Sequence, residues 1–256
     1  MVLVIEYMGT PYHGFQLQAD VPTVQGEMEH ALGRLTGEST RVMAASRTDA
    51  GVHAKGQVVG FRTKSTLSPQ TFVKGLNYYL PQSIAVKAAY RMSDDFNVRR
   101  RALSREYRYY ILNSPTPSPL KRGLACFSPR QLDIEAMAQA CSFLVGEHDF
   151  ASFTTAANGR AGSTRRRVYQ ASIDKKGEFM VFHIVANSFM LHQVRNTVGA
   201  LLKTGMGSIG SEEFQRMVEA KIPGLAGPTA PACGLYLMKV NYAQPLDSES
   251  YDDLQH

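Results

Sequence analysis

Tryptophan is absent from the 256 residues, and cysteine occurs only three times. Cys126, Cys141 and Cys233 are far apart and form no Cys-x-x-Cys pair, so neither a disulfide framework nor a structural zinc site is indicated, and burial is the expected role for each. No apolar run approaches the roughly 20 residues that cross a bilayer. The opening Met1-Val2-Leu3-Val4-Ile5-Glu6 reaches an acid too early and lacks the basic lead of a signal peptide, so a soluble cytoplasmic protein is expected. Walker, His-Glu-x-x-His and Gly-x-Ser-x-Gly motifs are missing. Gly205-Met206-Gly207-Ser208-Ile209-Gly210 spells Gly-x-Gly-x-x-Gly, but a helical pattern precedes it where a dinucleotide site needs a strand, so it reads as a helix end and turn. Negative charge is also in short supply. Against 28 Lys+Arg stand 22 Asp+Glu, giving a net +6 and a pI near 9.2, a balance that favours an anionic partner.

What is present suits a globular α+β protein of one large domain or two of roughly 100–150 residues. Val2 to Tyr7 is a β-branched run broken by Gly9-Thr10-Pro11 and reads as a strand. From Thr23 the period becomes helical through Val24, Met28, Ala31, Leu32 and Leu35, with Thr23 placed to cap and Gly37 to terminate. Strand-like runs at Val42–Ala45 and Gln57–Thr63, a helix opened by Ser68-Pro69 and stopped at Leu80-Pro81, and a strand at Ile84–Tyr90 complete a β-α-β-β-α-β order, expected to place helices on one face of a largely antiparallel sheet. Further on, Tyr107–Leu112 alternates as a strand, Asp133–Leu144 is helical, Val168–Ile173 and Phe179–Ala186 form a hairpin, Phe189–Lys203 is the longest helix, and Gly234–Val240 is a last strand. Asn158–Arg167 reads as a flexible basic loop, and Gly146–Phe153, with adjacent His148 and Asp149, as turn and cap.

The polar stretch with the most chemical content is Ser46-Arg47-Thr48-Asp49-Ala50-Gly51-Val52-His53-Ala54. A carboxylate beside a cation, followed by two small residues and lying between strands, is a tight turn that presents Asp49. A metal-dependent hydrolase built on Asp49 with His53 or His13 is poorly supported, because residues four apart share a face only on a helix and Gly51 opposes one. Arg99, Arg100, Arg101, Arg105 and Arg108 run into Tyr107, Tyr109 and Tyr110. Arginines interleaved with tyrosines suit RNA, guanidinium groups pairing with phosphates and rings stacking on unpaired bases. A solvated basic face is the bland alternative. Arg195 falls beside the apolar stripe of its helix, where an arginine needs a partner.

Arg47-Thr48-Asp49-Ala50-Gly51-Val52-His53-Ala54 resembles the signature of the tRNA pseudouridine synthase A family, with support from Gly14-Phe15-Gln16, Thr23-Val24-Gln25-Gly26, Gln57-Val58-Val59, Tyr107-Arg108-Tyr109, Val194-Arg195-Asn196 and Ala230-Pro231-Ala232-Cys233-Gly234-Leu235. The resemblance implies isomerisation of uridine to pseudouridine at positions 38, 39 and 40 of the tRNA anticodon stem-loop. The bond from N1 to ribose is cut, the base turns, and C5 joins the same carbon, without metal or cofactor. Asp49 is then the essential carboxylate; attack on the sugar, attack on the base, and removal of a ribose proton are all open to it. Arg195 would be its cation, Arg47 would occupy the place of the extruded nucleotide, Tyr107 would lie against the uracil, and Leu235 would wall the pocket. The implied fold is the pseudouridine synthase fold: two ferredoxin-like halves, here 1–103 and 104–256, sharing a mixed, mostly antiparallel sheet with a central cleft, in a homodimer. Arg99, Arg100, Arg101, Lys121, Arg122, Arg165, Arg166 and Arg167 are candidates for phosphate contacts. Met8, Ser46, Asn97 and Gln193 depart from the usual pattern without touching Asp49, Arg47, Tyr107 or Arg195. A module that holds tRNA without chemistry is the alternative function.

Overall fold

Two strand-and-helix units make up the chain, Met1–Arg105 joined by the chain from Leu237 onward, and Glu106–Tyr236. The structure is a computed structural model and describes residues 1–155 and 163–247. In the first unit the order is β1 (Val2–Tyr7), α1 (Val24–Thr36), β2 (Met43–Ala44), β3 (His53–Gly60), α2 (Pro69–Tyr79) and β4 (Ile84–Tyr90). β1 runs between β3 and β4, antiparallel to both, and β2 adds to β3, the strand arrangement of a ferredoxin-like β-α-β-β-α-β unit. Local chemistry sets the helix limits. Thr23 accepts from the Gly26 N–H, Gly37 adopts the left-handed φ of 74°, and Ser68 accepts from the Thr71 N–H with Pro69 opening α2. Leu3, Ile5, Met28, Leu32, Phe72 and Leu76 are fully buried between helices and strands.

β5 (Ser104–Asn113) leads into the second unit, followed by β6 (Cys126–Ser128), α3 (Ile134–Ser142), β7 (Gly146–Asp149), β8 (Arg165–Lys176), β9 (Phe179–Ala186), α4 (Gln193–Gly205) and α5 (Ser211–Ala220). The strands lie in the order β5-β9-β8-β7. β6 runs parallel to β5, whereas β7 to β8 and β8 to β9 are antiparallel, so the fold is α+β with mixed, mostly antiparallel pairing. β10 (Leu235–Asn241) returns the chain to the first unit, where it lies beside β3. No helix among the described residues is long and apolar enough to cross a membrane.

Three expectations from the sequence need correction. The segment Arg165–Arg167, read as loop, begins β8, and Gly146–Asp149, read as turn, is β7; the two pair through Glu147 with Arg167, His148 with Arg166 and Asp149 with Arg165. Asp149 still caps locally, accepting from the Ala151 N–H at 3.1 Å. Asn158, Gly159, Arg160 and Gly162 of the proposed loop lie outside the described residues. α4 starts four residues later than the periodicity suggests, because His192 takes a left-handed φ of 62° and the Met190 N–H donates to Gln193 Oε1. The glycine-rich stretch does end a helix, but it also opens α5 at Gly210, with Phe214, Met217 and Val218 buried.

Candidate active site

Asp49 sits in a turn closed by the Val52 N–H donating to the Asp49 carbonyl at 3.1 Å, with Gly51 at φ 78°. A positive φ at the third residue of such a turn is what glycine supplies without strain. Two other glycines let neighbouring main chain close on the turn. A Cβ on Gly9 would lie 2.0 Å from the Val52 carbonyl oxygen, and one on Gly14, itself at φ +94°, would lie 2.8 Å from the Thr48 oxygen and 3.2 Å from the Ala50 nitrogen. The segment Tyr12–Phe15 is thereby fixed to the turn: the Phe15 N–H donates to the Thr48 carbonyl at 3.1 Å and the Gly51 N–H to the Tyr12 carbonyl at 3.3 Å. Tyr12 and Phe15 are buried, so these two rings are packing material.

Side chains behind the turn complete its support. The Tyr7 and Thr48 hydroxyls share a 2.7 Å hydrogen bond. Buried Gln57 clamps Ser46 from both sides, its Nε2 donating to the Ser46 carbonyl at 2.6 Å and its Oε1 accepting from the Ser46 N–H at 3.3 Å. His53 is buried on β3, and its Nδ1 accepts from the Gly9 N–H at 3.1 Å. That bond places the hydrogen of a neutral ring on Nε2. Among the described residues no group of three or more His, Cys, Asp or Glu gathers to hold a metal ion.

The turn sits in a positive environment. Burial first, and then the charges of Arg47 and Arg105, hold the Arg99 guanidinium below its usual range, so these three cations are near one another in the first unit. Arg105 is buried; it donates to the carbonyls of Ala45 at 3.1 Å, Arg99 at 3.0 Å and Ala102 at 3.1 Å. It therefore has a structural role in tying the basic turn to the end of β2, while Arg47, Arg99 and Arg100 are exposed. Arg101 pairs with Asp95 at 2.9 Å. Asn97 Oδ1 accepts from the Arg99 and Arg100 N–H groups at 3.0 Å, which accounts for asparagine at that position.

Within the second unit, Tyr107, Arg195 and Leu235 occupy β5, the first turn of α4 and the start of β10. Tyr107 is buried and meets Phe189 edge-on, with ring centroids 5.2 Å apart. Arg195 is half-buried; its Nε donates to the Ala230 carbonyl at 2.8 Å, and the Ala230 N–H returns a bond of 3.1 Å to the Arg195 carbonyl. The 228–230 segment lies against α4 so closely that a Cβ on Gly199 would be 1.9 Å from the Pro228 oxygen. Asn196 fastens it further, accepting from the Thr229 hydroxyl at 2.6 Å. Tyr109, the next residue on the same face of β5 as Tyr107, donates to the Pro231 carbonyl at 2.8 Å. Burial raises the Tyr109 hydroxyl far above the usual phenol range, and the Arg195 charge opposes that rise. Arg195 likewise opposes the upward shift that burial gives Cys233, two residues before Leu235. The sequence singled out Arg195 and Tyr107; it did not show that Asn196, Gly199 and Tyr109 hold the segment around them.

A chain with these two supported segments belongs to the tRNA pseudouridine synthase family, whose model matches residues 3–99 and 140–243. Among individual proteins, it is 44% identical over 242 residues to a tRNA pseudouridine synthase A of Blochmanniella pennsylvanica, covering 94% of this chain and 92% of the relative. It is 40% identical over 243 residues to the tRNA pseudouridine synthase A of Francisella tularensis subsp. tularensis, covering 95% and 94%. The tRNA pseudouridine synthase A of Acetivibrio thermocellus is 40% identical over 240 residues, covering 94% of this chain and 98% of the relative.

Proposed function

We propose that this protein is a cytoplasmic, homodimeric tRNA pseudouridine synthase that isomerises uridine at positions 38, 39 and 40 of the anticodon stem-loop. The observation that carries this is the Asp49 turn: a family motif whose main chain is locked by Gly9, Gly14 and Gly51 beside the Arg47, Arg99 and Arg105 cations. A presented carboxylate can serve as nucleophile or base, and exposed arginines suit the phosphates that flank a target nucleotide. The two halves, 1–103 and 104–256, each contribute to the reaction. Asp49 acts on the uridine, Arg195 stabilises the carboxylate, Tyr107 lies against the uracil, and Leu235 supplies apolar contact. Arg47 takes the place of the nucleotide as it leaves the stack, a step that costs a few kcal/mol.

Atoms balance without a co-reactant: the N1 to C1′ bond is exchanged for a C5 to C1′ bond, C5 gives up its proton, and N1 acquires one. Arg99, Arg100, Arg101, Arg165, Arg166 and Arg167 are proposed phosphate contacts, although Arg166 turns its Nη1 to the Ser163 and Arg165 carbonyls at 2.7 and 2.6 Å. The test is to treat unmodified tRNA transcripts with the purified protein and map pseudouridine by position. Conversion at 38, 39 or 40 that persists in a chelator is the expected result. Tight binding with no conversion at any uridine would instead establish a tRNA-binding module.

A further inference from the structure

β8 carries an irregularity that the catalytic reading does not use. In its ladder with β9, Val168 pairs with Ala186 but Gln170 pairs with Val185. Two steps on β8 thus oppose one on β9, and Tyr169 is the inserted residue of a β-bulge. A bulge of this kind shifts the inward and outward phase of a strand by one residue and re-aims the side chain it inserts. The burial pattern shows that shift. Arg165 and Arg167 are exposed with Val168 buried, and beyond the bulge Ile173 is the buried position. A regular strand could not expose Tyr169 with the two arginines and still bury Ile173, because all four have odd numbers.

Tyr169 is left 51% exposed, with the Arg167 guanidinium carbon 6.0 Å from its ring centroid, at the outer limit of a cation–π contact. The main chain of Arg167 is pinned on both sides by Asn187, whose Oδ1 accepts from the Arg167 N–H at 3.1 Å and whose N–H donates to the Arg167 carbonyl at 3.0 Å. Arg165 is partly neutralised by Glu147 at 3.4 Å. Arg167 has no carboxylate partner among the described residues, in a chain of net charge +6.

We propose that Tyr169 and Arg167 form a stacking platform on β8 for an unpaired nucleotide of the tRNA substrate, the ring meeting the base and the guanidinium the adjoining phosphate. This rests on the tRNA reading and adds to it a contact of stated chemistry away from the Asp49 turn. The occupant is unpaired because a paired base is covered on both faces by its neighbours, whereas a splayed base offers a face to an aromatic ring. The bulge gives the ring its aim and Asn187 gives the arginine its position, so the platform exists before RNA arrives.

The experiment compares the full-length protein with Tyr169→Ala, Tyr169→Phe and Arg167→Gln. Binding to a tRNA transcript and to a fully paired RNA duplex of equal length is measured by fluorescence anisotropy across a salt series. Tyr169→Ala should weaken tRNA binding about 5- to 10-fold, leave the salt slope and duplex binding unchanged, and be rescued by Tyr169→Phe. Arg167→Gln should weaken binding and lower the salt slope by about 1. Wild-type tRNA affinity in Tyr169→Ala overturns the platform, as does an equal loss on both RNAs. A changed oligomeric state with unchanged tRNA affinity also overturns it and marks the surface as a contact between protein chains. Pseudouridine formation followed in the same samples separates the two readings. Normal conversion with unaffected Tyr169→Ala binding defeats the platform alone, and an inactive wild-type protein that shows the Tyr169 effect defeats only the enzymatic reading.

Discussion

The Asp49 turn and the Arg195 segment are both rigidly supported, but by different parts of their residues. Around Asp49 the support runs largely through main chain, completed by the Tyr7 and Gln57 side chains: the Val52, Phe15 and Gly51 N–H groups donate to carbonyls of the turn and its neighbours, and Gly9 and Gly14 allow the backbones to touch. Around Arg195 the functional group itself takes part, its Nε donating to the Ala230 carbonyl at 2.8 Å. Replacing the Asp49 side chain therefore leaves these main-chain bonds in place. Replacing Arg195 removes a charge and a brace at once.

The largest separation between the two regions is expected from Arg195→Met, which keeps apolar bulk but loses the guanidinium. Loss of the charge-assisted hydrogen bond should cost about 1.5–3 kcal/mol of stability in urea denaturation, and turnover should fall about 100- to 1,000-fold if Arg195 stabilises charge in the reaction. A variant with wild-type stability would show that the Ala230 contact is not a brace, and the contrast would fail. Gly9→Ala comes next. Its Cβ would stand 2.0 Å from the Val52 oxygen, so the backbone must move, and a destabilisation of about 1–3 kcal/mol is expected together with lost activity. Retained activity at reduced stability would separate the turn's geometry from its chemistry. Tyr7→Phe is the mildest. Removing the hydroxyl that meets Thr48 at 2.7 Å should cost about 0.5–1.5 kcal/mol, with tRNA affinity unchanged, as read by thermal melting and anisotropy.

These differences also explain what the sequence revealed. α1 and α2 were legible almost to the residue because Thr23, Gly37, Ser68 and Pro69 write their ends into local chemistry. β7 and the start of β8 were misread for one shared reason: Glu147 pairs with Arg167, a partnership 20 positions apart that leaves no trace in local periodicity. The turn at Asp49 was legible because it is continuous in sequence. Arg195, Tyr107 and Leu235 could be named through the family resemblance, whereas Gly199 closing on Pro228 and Tyr109 reaching Pro231 depend on packing between distant segments. The exposed ring of Tyr169 was hidden in the same way, since only the ladder with β9 discloses the bulge.

The central proposal is that Asp49 performs the chemistry from a turn held by main-chain bonds and by the Tyr7 and Gln57 side chains. Tritium release from tRNA labelled at uridine C5 tests it most directly, with the wild-type and Asp49→Ala proteins compared at matched tRNA occupancy. The account predicts release by the wild type and none above background by Asp49→Ala, with tRNA affinity unchanged between them. Release by Asp49→Ala at the wild-type rate would contradict it.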